Sequence, residues 1–195
     1  MDKCIIRNET PDDYRKVESL TRKAFWNVYR PGCLEHYVLH NFRTDPDFVK
    51  ELDFVMECDG NIIGHVMFAH AKIQSDNGIQ IPIMTFGPIC IDPKFQRQGF
   101  GKKLLDFSTG RAAELGANAL AICGNIAFYG KSGFVRGKEK GIRYADDPDA
   151  DYFLVKELSK DFLDKVRGTF REPKGYFVSE ADAKEFDRQF AEDLG

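Results

Sequence analysis

Apolar positions along the chain follow two rhythms. Cys4-Ile5-Ile6-Arg7 is a short strand-like run. Thr10-Pro11-Asp12-Asp13 then opens a helix: Thr10 caps, Pro11 suits the first helical position, and the two aspartates complement the positive end of the dipole. Val17, Leu20, Ala24 and Phe25 continue at helical spacing until Pro31-Gly32, and Leu34 to Phe42 reads as a second helix. The rhythm changes at Phe54. Phe54 to Glu57, Ile62 to Ile73 and Ile79 to Phe86 read as strands of a meander, with turns at Asp59-Gly60 and Asp76-Asn77-Gly78. Gly87 to Ile91 reads as a further short strand closed by Asp92-Pro93, followed by a glycine-bearing loop and a helix containing Leu104, Leu105, Ala112 and Leu115.

Ala119 to Ile122 is a strand, the stretch around Ala127 to Ser132 a short helix, and Tyr152 to Val155 a last strand. The strands Gly87 to Ile91 and Ala119 to Ile122, with the helix between them, imply a crossover and a parallel pair. Ser159 is expected to cap a short helix ending near Gly168, and Ser179 a final acidic helix with Ala183, Phe186 and Phe190 on its apolar face. These elements predict a mixed α/β fold of the α+β kind. A core over residues 1–158 and a helical or irregular extension over 159–195 are the expected divisions.

Charge narrows the partners. The 195 residues carry 28 Lys and Arg against 31 Asp and Glu, too balanced for a general nucleic-acid binder. No apolar run approaches the roughly 18–20 residues of a membrane helix, and the first residues lack a leader, so a cytoplasmic protein without a membrane partner is expected. Five scattered cysteines without a Cys-x-x-Cys pair read as reduced thiols rather than a zinc site.

The chemistry concentrates between Gly87 and Leu105. Gly99 and Gly101 at a helix start let an anion approach bare amides, and Lys94, Arg97, Lys102 and Lys103 add positive charge, which suits a pyrophosphate. The Gly-Lys-Ser/Thr ending of a P-loop and the third glycine of a dinucleotide fingerprint are both missing. Pro88 in an apolar strand implies a bulged or unpaired side. Unpaired backbone beside an anion site suits an extended, amide-bearing ligand such as pantetheine.

Gln96-Arg97-Gln98-Gly99-Phe100-Gly101 resembles the Q/R-x-x-G-x-G/A loop of the GNAT superfamily of N-acetyltransferases. Ile89-Cys90-Ile91-Asp92-Pro93 resembles that family's cofactor-side strand, and Asn125 to Phe134 its later helical segment. The resemblance spans about residues 3–158, and the Gly87-Pro88 start and Phe128-Tyr129 are most similar to a bacterial subgroup of predicted acetyltransferases. It implies a mixed central sheet of about seven strands with a splayed parallel pair holding acetyl-CoA. The amides of Gln96, Arg97, Gln98, Gly99, Phe100, Gly101 and Lys102 would surround the pyrophosphate. Ile89 and Ile91 would pair with pantetheine, an amide at Ile89 or Cys90 would face the thioester oxygen, and Asn125 would bond the arm or nearby backbone. Tyr129 would be the general acid, and no metal is implied.

The family's usual glutamate base does not carry over, because Ile83 to Ile91 contains no Glu. Glu57, His65 and His70 are candidates, each with a plain structural alternative as a surface or core group. His36 and His40, four apart, could flank a metal but have no evident third ligand. Cys90 and Cys123 raise a covalent route, against which direct transfer is preferred. The acceptor, a small-molecule amine, is expected to meet the first two helices, the turn near Gly78 and the loop 139–151, whose Asp146, Asp147, Asp149 and Asp151 could attract a cation. A non-catalytic acyl-CoA-binding module and another phosphate-ligand protein stay open as alternatives. Three roles stay open for the tail after Lys160: covering a sheet edge, contributing to the substrate cleft, or pairing with another subunit as a homodimer.

Overall fold

The computed structural model describes residues 4–190. The chain forms β1 (Cys4–Asn8), α1 (Tyr14–Phe25), α2 (Glu35–Phe42), β2 (Phe54–Cys58), β3 (Asn61–Ser75), β4 (Gln80–Ile91), α3 (Phe100–Glu114), β5 (Ala119–Cys123), α4 (Ile126–Tyr129), β6 (Val135–Arg136), β7 (Ile142–Tyr144), β8 (Phe153–Glu157), β9 (Gly168–Phe170) and α5 (Glu180–Asp187). One mixed sheet holds nine strands rather than about seven, in the order β1-β2-β3-β4-β5-β8-β6, with β9 on β3 and β7 on β9. The extra strands are two or three residues long, too short to carry an alternation that sequence periodicity can register.

Alternation along the long strands sorts the core into two layers. Phe54, Met56, Val66 and Phe68 face Leu104, Leu105 and Ala112 of α3. Val55, Met67 and Ala69 face Val17 of α1 and Val38, Leu39 and Phe42 of α2. Helices therefore cover both faces of the sheet, and the strand ends between them are where a ligand can reach backbone.

Several sequence expectations change. Gln80 to Ile91 is a single strand, because β3 continues as its partner past Phe86. The stretch after Ser159 is a series of turns, not a helix: the Ser159 hydroxyl donates to Asn118 Oδ1 at 2.6 Å instead of capping. The chain beyond 158 joins the sheet, since β9 pairs antiparallel with β3 and parallel with β7. Ser179 does cap α5, accepting from the Asp182 amide at 3.3 Å, and Ala183, Phe186 and Phe190 are buried. Cys4 and Cys58 are not free thiols but form a disulfide where β1 and β2 stand opposite each other. Cys33, Cys90 and Cys123 are free. No helix among the described residues is long and apolar enough to cross a membrane.

Candidate active site

The site begins where β4 and β5 part. They pair in parallel only at Met84 with Leu120 and Thr85 with Ala121, where the Thr85 hydroxyl also donates to the Ala121 carbonyl at 2.8 Å. Just beyond, the β3–β4 register shifts: Val66 opposes Ile89 and Phe68 opposes Phe86, so Gly87 and Pro88 together face Met67. That bulge bends β4, as an extra residue on one strand does. β5 stays with β8 as far as Cys123 opposite Phe153. The parallel pair therefore opens into a gap.

The ladder phase tells which backbone groups face it. The Asp92 amide donates to the Ile63 carbonyl at 2.8 Å, and antiparallel pairs alternate between bonded and non-bonded. Cys90 is thus committed to His65, whereas Ile89 and Ile91 turn their backbone groups toward the gap. Of the two oxyanion candidates the geometry leaves the Ile89 amide, and the Cys90 amide is spent on β3. The Ile91 carbonyl accepts from Gln96 Nε2 at 3.1 Å, so that glutamine braces the strand through its side chain.

The loop follows at the end of β4. Arg97 has φ 60° and Gly99 φ 91°, two left-handed residues flanking Gln98. Left-handed residues of this kind curl a chain, the geometry by which successive amides can face an anion. Gly99 precedes α3, whose first amides, Phe100, Gly101 and Lys102, have no carbonyl one turn back. Lys102 pairs with Asp106, and Asp106 accepts from the Ser132 hydroxyl at 2.6 Å, tying α3 to the chain after α4.

A cavity of about 750 Å³ occupies the mouth of the gap. Gly87, Pro88 and Ile89 line it from β4, and Ile122, Cys123, Gly124 and Asn125 from the end of β5. Tyr129 borders it, only 8% exposed, with its ring against Phe128, Phe86 and Phe134 at centroid distances of 4.9, 5.9 and 5.6 Å. Burial pushes the Tyr129 phenol well above its usual range and keeps its proton on. Gly124 makes room for that ring, because a Cβ there would overlap it. The Asn125 side chain accepts from the Ala127 amide at 2.9 Å, so its oxygen caps α4.

The acceptor side differs from expectation. Phe25, Tyr29, Leu34, Glu35 and Val38 line the cavity from the first two helical segments. Neither the turn near Gly78 nor the loop 139–151 lines it; Tyr152, Glu172 and Tyr176 do. The Tyr176 hydroxyl donates to the Gly87 carbonyl at 2.9 Å, fastening the tail to the bulge. Asp146 and Asp151 are occupied by their own cations, Arg171 at 2.8 Å and Lys138 at 2.8 Å. Glu172 sits in irregular chain and Tyr176 in a single 3-10 turn, Lys174–Tyr176, where no periodicity or spacing signals a site.

None of the three proposed bases borders this cavity. Glu57 holds Arg7 at 2.9 Å, and His70 lines a separate cavity. His65 is fully buried, its Nε2 2.8 Å from Asp53, and burial lowers its pKa to about 4. Glu9, Asp53 and His65 form the one group of metal-ligand types among the described residues. Arg43 already supplies its positive charge, 2.8 Å from Glu9. His36 and His40 do not act together. Buried His36 packs on Phe186 and Phe190 under α5, and His40 Nδ1 lies 2.9 Å from Glu18. The Cys90 thiol, pushed up to about 12 by burial, points to Thr21 on α1. The Cys123 thiol reaches the cavity but is also pushed up, by burial and then by Glu172. Neither supplies a thiolate nucleophile near neutral pH.

A family model described as an Acetyltransferase (GNAT) domain matches residues 51–136, which contain β2 to α4 and the loop. An uncharacterized N-acetyltransferase, YhbS of Escherichia coli K12, is 25% identical over 164 residues, covering 84% of this chain and 93% of that protein. The crystal structure of the E. coli GNAT family N-acetyltransferase YhbS in complex with CoA superposes with a TM-score of 0.79, covering 90% of this chain and 93% of that one. A GNAT family acetyltransferase from Brucella melitensis in complex with acetyl-CoA, 22% identical, gives 0.72 over 90% and 99%. Split strands, glycine loop and these matches agree: residues 51–136 match the GNAT acetyltransferase domain, and the fold around them is that of the GNAT structures.

Proposed function

We propose that this protein is an acetyl-CoA-dependent N-acetyltransferase that passes the acetyl group directly to the amine of a small molecule. The observation that carries the proposal is the abrupt end of β4–β5 pairing after Thr85, which leaves the outward edge of Ile89 to Ile91 open beside the cavity. The residues fit the co-substrate. A β-like pantetheine arm pairs with the backbone of Ile89 and Ile91. The curled amides from Arg97 to Lys102 and the start of α3 take the diphosphate, with Arg97 and Lys103 contributing charge.

The Ile89 amide, aimed into the gap, donates to the thioester oxygen as negative charge builds on it. Donors of this kind are worth about 3 kcal/mol. Tyr129 retains its proton in the apolar wall and gives it to the departing sulfur. Direct attack is favoured because both nearby thiols are held protonated.

The test measures thiol release from acetyl-CoA across an amine panel, with thermal shifts by CoA, ATP and NAD. Amine-dependent thiol release together with a CoA-selective rise in Tm is the expected result. A CoA shift without turnover would make the chain a binding module. Equal shifts by all three ligands would remove the coenzyme reading altogether.

A further inference from the structure

Two carboxylates reach the cavity, Glu35 and Glu172. Glu35 is engaged: its Oε2 accepts from the Leu34 amide at 3.0 Å and the Cys33 thiol at 3.3 Å. Glu172 is different. Its Oε1 accepts from the Cys123 thiol at 3.3 Å, while Oε2 is buried and has no hydrogen-bond partner. The neighbouring cations are turned elsewhere, Arg171 to Asp146 at 2.8 Å and Arg30 to Glu180 at 2.9 Å. The other groups around Glu172 are phenols: Tyr144 from β7, Tyr152 from the turn before β8, and Tyr176 from the tail. Tyr176 gives its hydrogen to Gly87. Burial, then the charge of Glu172 and a side-chain hydrogen bond to it, raise both Cys123 and Tyr144, so both stay neutral beside the carboxylate.

A buried carboxylate oxygen without a donor is costly. Glu172 itself lines a cavity whose other walls include Phe25, Tyr29 and Tyr152, aromatic surfaces on which a cation also rests favourably. Given the acetyltransferase reading, on which this rests, we infer that Glu172 binds the acceptor as an ammonium ion and removes its proton, and that the acceptor is a primary amine on an apolar or aromatic body.

Protons balance. The ammonium loses one to Glu172, and the freed lone pair forms the N–C bond as the C–S bond breaks. The nitrogen's second proton replaces the one Tyr129 gives to sulfur. The proton on Glu172 leaves to water; Glu172 also borders the second cavity, of about 700 Å³, which offers it a path.

The experiment compares wild type with Glu172→Gln, both as full chains checked for the CoA thermal shift. Benzylamine, charged at neutral pH, and aniline, neutral there, serve as acceptors. The expected result is a loss of at least about 100-fold in kcat/KM for benzylamine against less than threefold for aniline. Equal losses for both amines, or no loss for either, would overturn the assignment while leaving the acetyltransferase reading intact. If neither amine turns over, binding to the CoA-loaded protein decides. Benzylamine shifting wild type but not Glu172→Gln, with benzyl alcohol shifting neither, supports the assignment; equal shifts by amine and alcohol overturn it.

Discussion

Gly124 offers a way to move Tyr129 without touching its chemistry. A Cβ at Gly124 would overlap Cε2 of the tyrosine and lie 2.9 Å from Cδ2 and 3.3 Å from Cζ. The ring has nowhere easy to go, because Phe128, Phe86 and Phe134 pack around it. Gly124→Ala therefore forces a shift at an overpacking cost of about 1–3 kcal/mol. A displacement of roughly 1 Å at the acid lowers kcat about 100-fold. The diphosphate loop is separate in the chain, so the Kd of acetyl-CoA changes less than threefold. Steady-state thiol release and titration calorimetry read the two quantities. The decisive step is the double variant. If Gly124 acts through the Tyr129 hydroxyl, Gly124→Ala has no further effect on kcat in a Tyr129→Phe background. An equal loss in both backgrounds, or an unchanged kcat in the single variant, refutes the reasoning.

Two further predictions address the loop and the tail. Gly99→Ala places a side chain at φ 91°, a strain of about 1–2 kcal/mol, so the Kd of acetyl-CoA should rise about tenfold while kcat at saturation holds; an unchanged Kd would detach the loop from coenzyme binding. His36, buried under α5, has its pKa lowered from 6.5 to about 4, chiefly by burial. The folded state resists its protonation, so its contribution is present above pH 6.5 and lost as pH falls toward 4, about 3 kcal/mol in all. Urea unfolding of wild type and His36→Phe should show the wild type losing more stability across that window; parallel curves would show that His36 does not titrate on unfolding.

Much of the coenzyme half is legible in the sequence because its signals are local. Gly99 and Pro88 each impose a backbone state within a few residues, and the structure has a left-handed turn and a bulge where they stand, while Gly101 takes ordinary helical backbone in α3. The strands β2 to β4 are equally direct, since long, largely apolar runs buried on both faces mark them. The acceptor half is not legible, because it is assembled across long separations. Tyr176 meets Gly87 and Glu172 meets Cys123 through β9, a three-residue strand with no readable rhythm. His65 and His70 drew attention as ionisable groups on strands. Strand position alone does not say which face they occupy relative to a gap created by a bulge twenty residues later.

The bond from Tyr176 to Gly87 joins two lengths of polypeptide with different tasks in the proposed reaction. The donor side must always accommodate one invariant molecule, and its strand and loop lie inside the stretch that matches the family. The wall carrying Glu172 and Tyr176 lies outside it, and on the proposed function it is the part that meets the acceptor. Such a molecule can change clientele by rewriting its last few dozen residues and leave its handling of the thioester alone. The exception is any drift at Tyr176 or Glu172 themselves, which would be transmitted at once to the strands that hold the acetyl group.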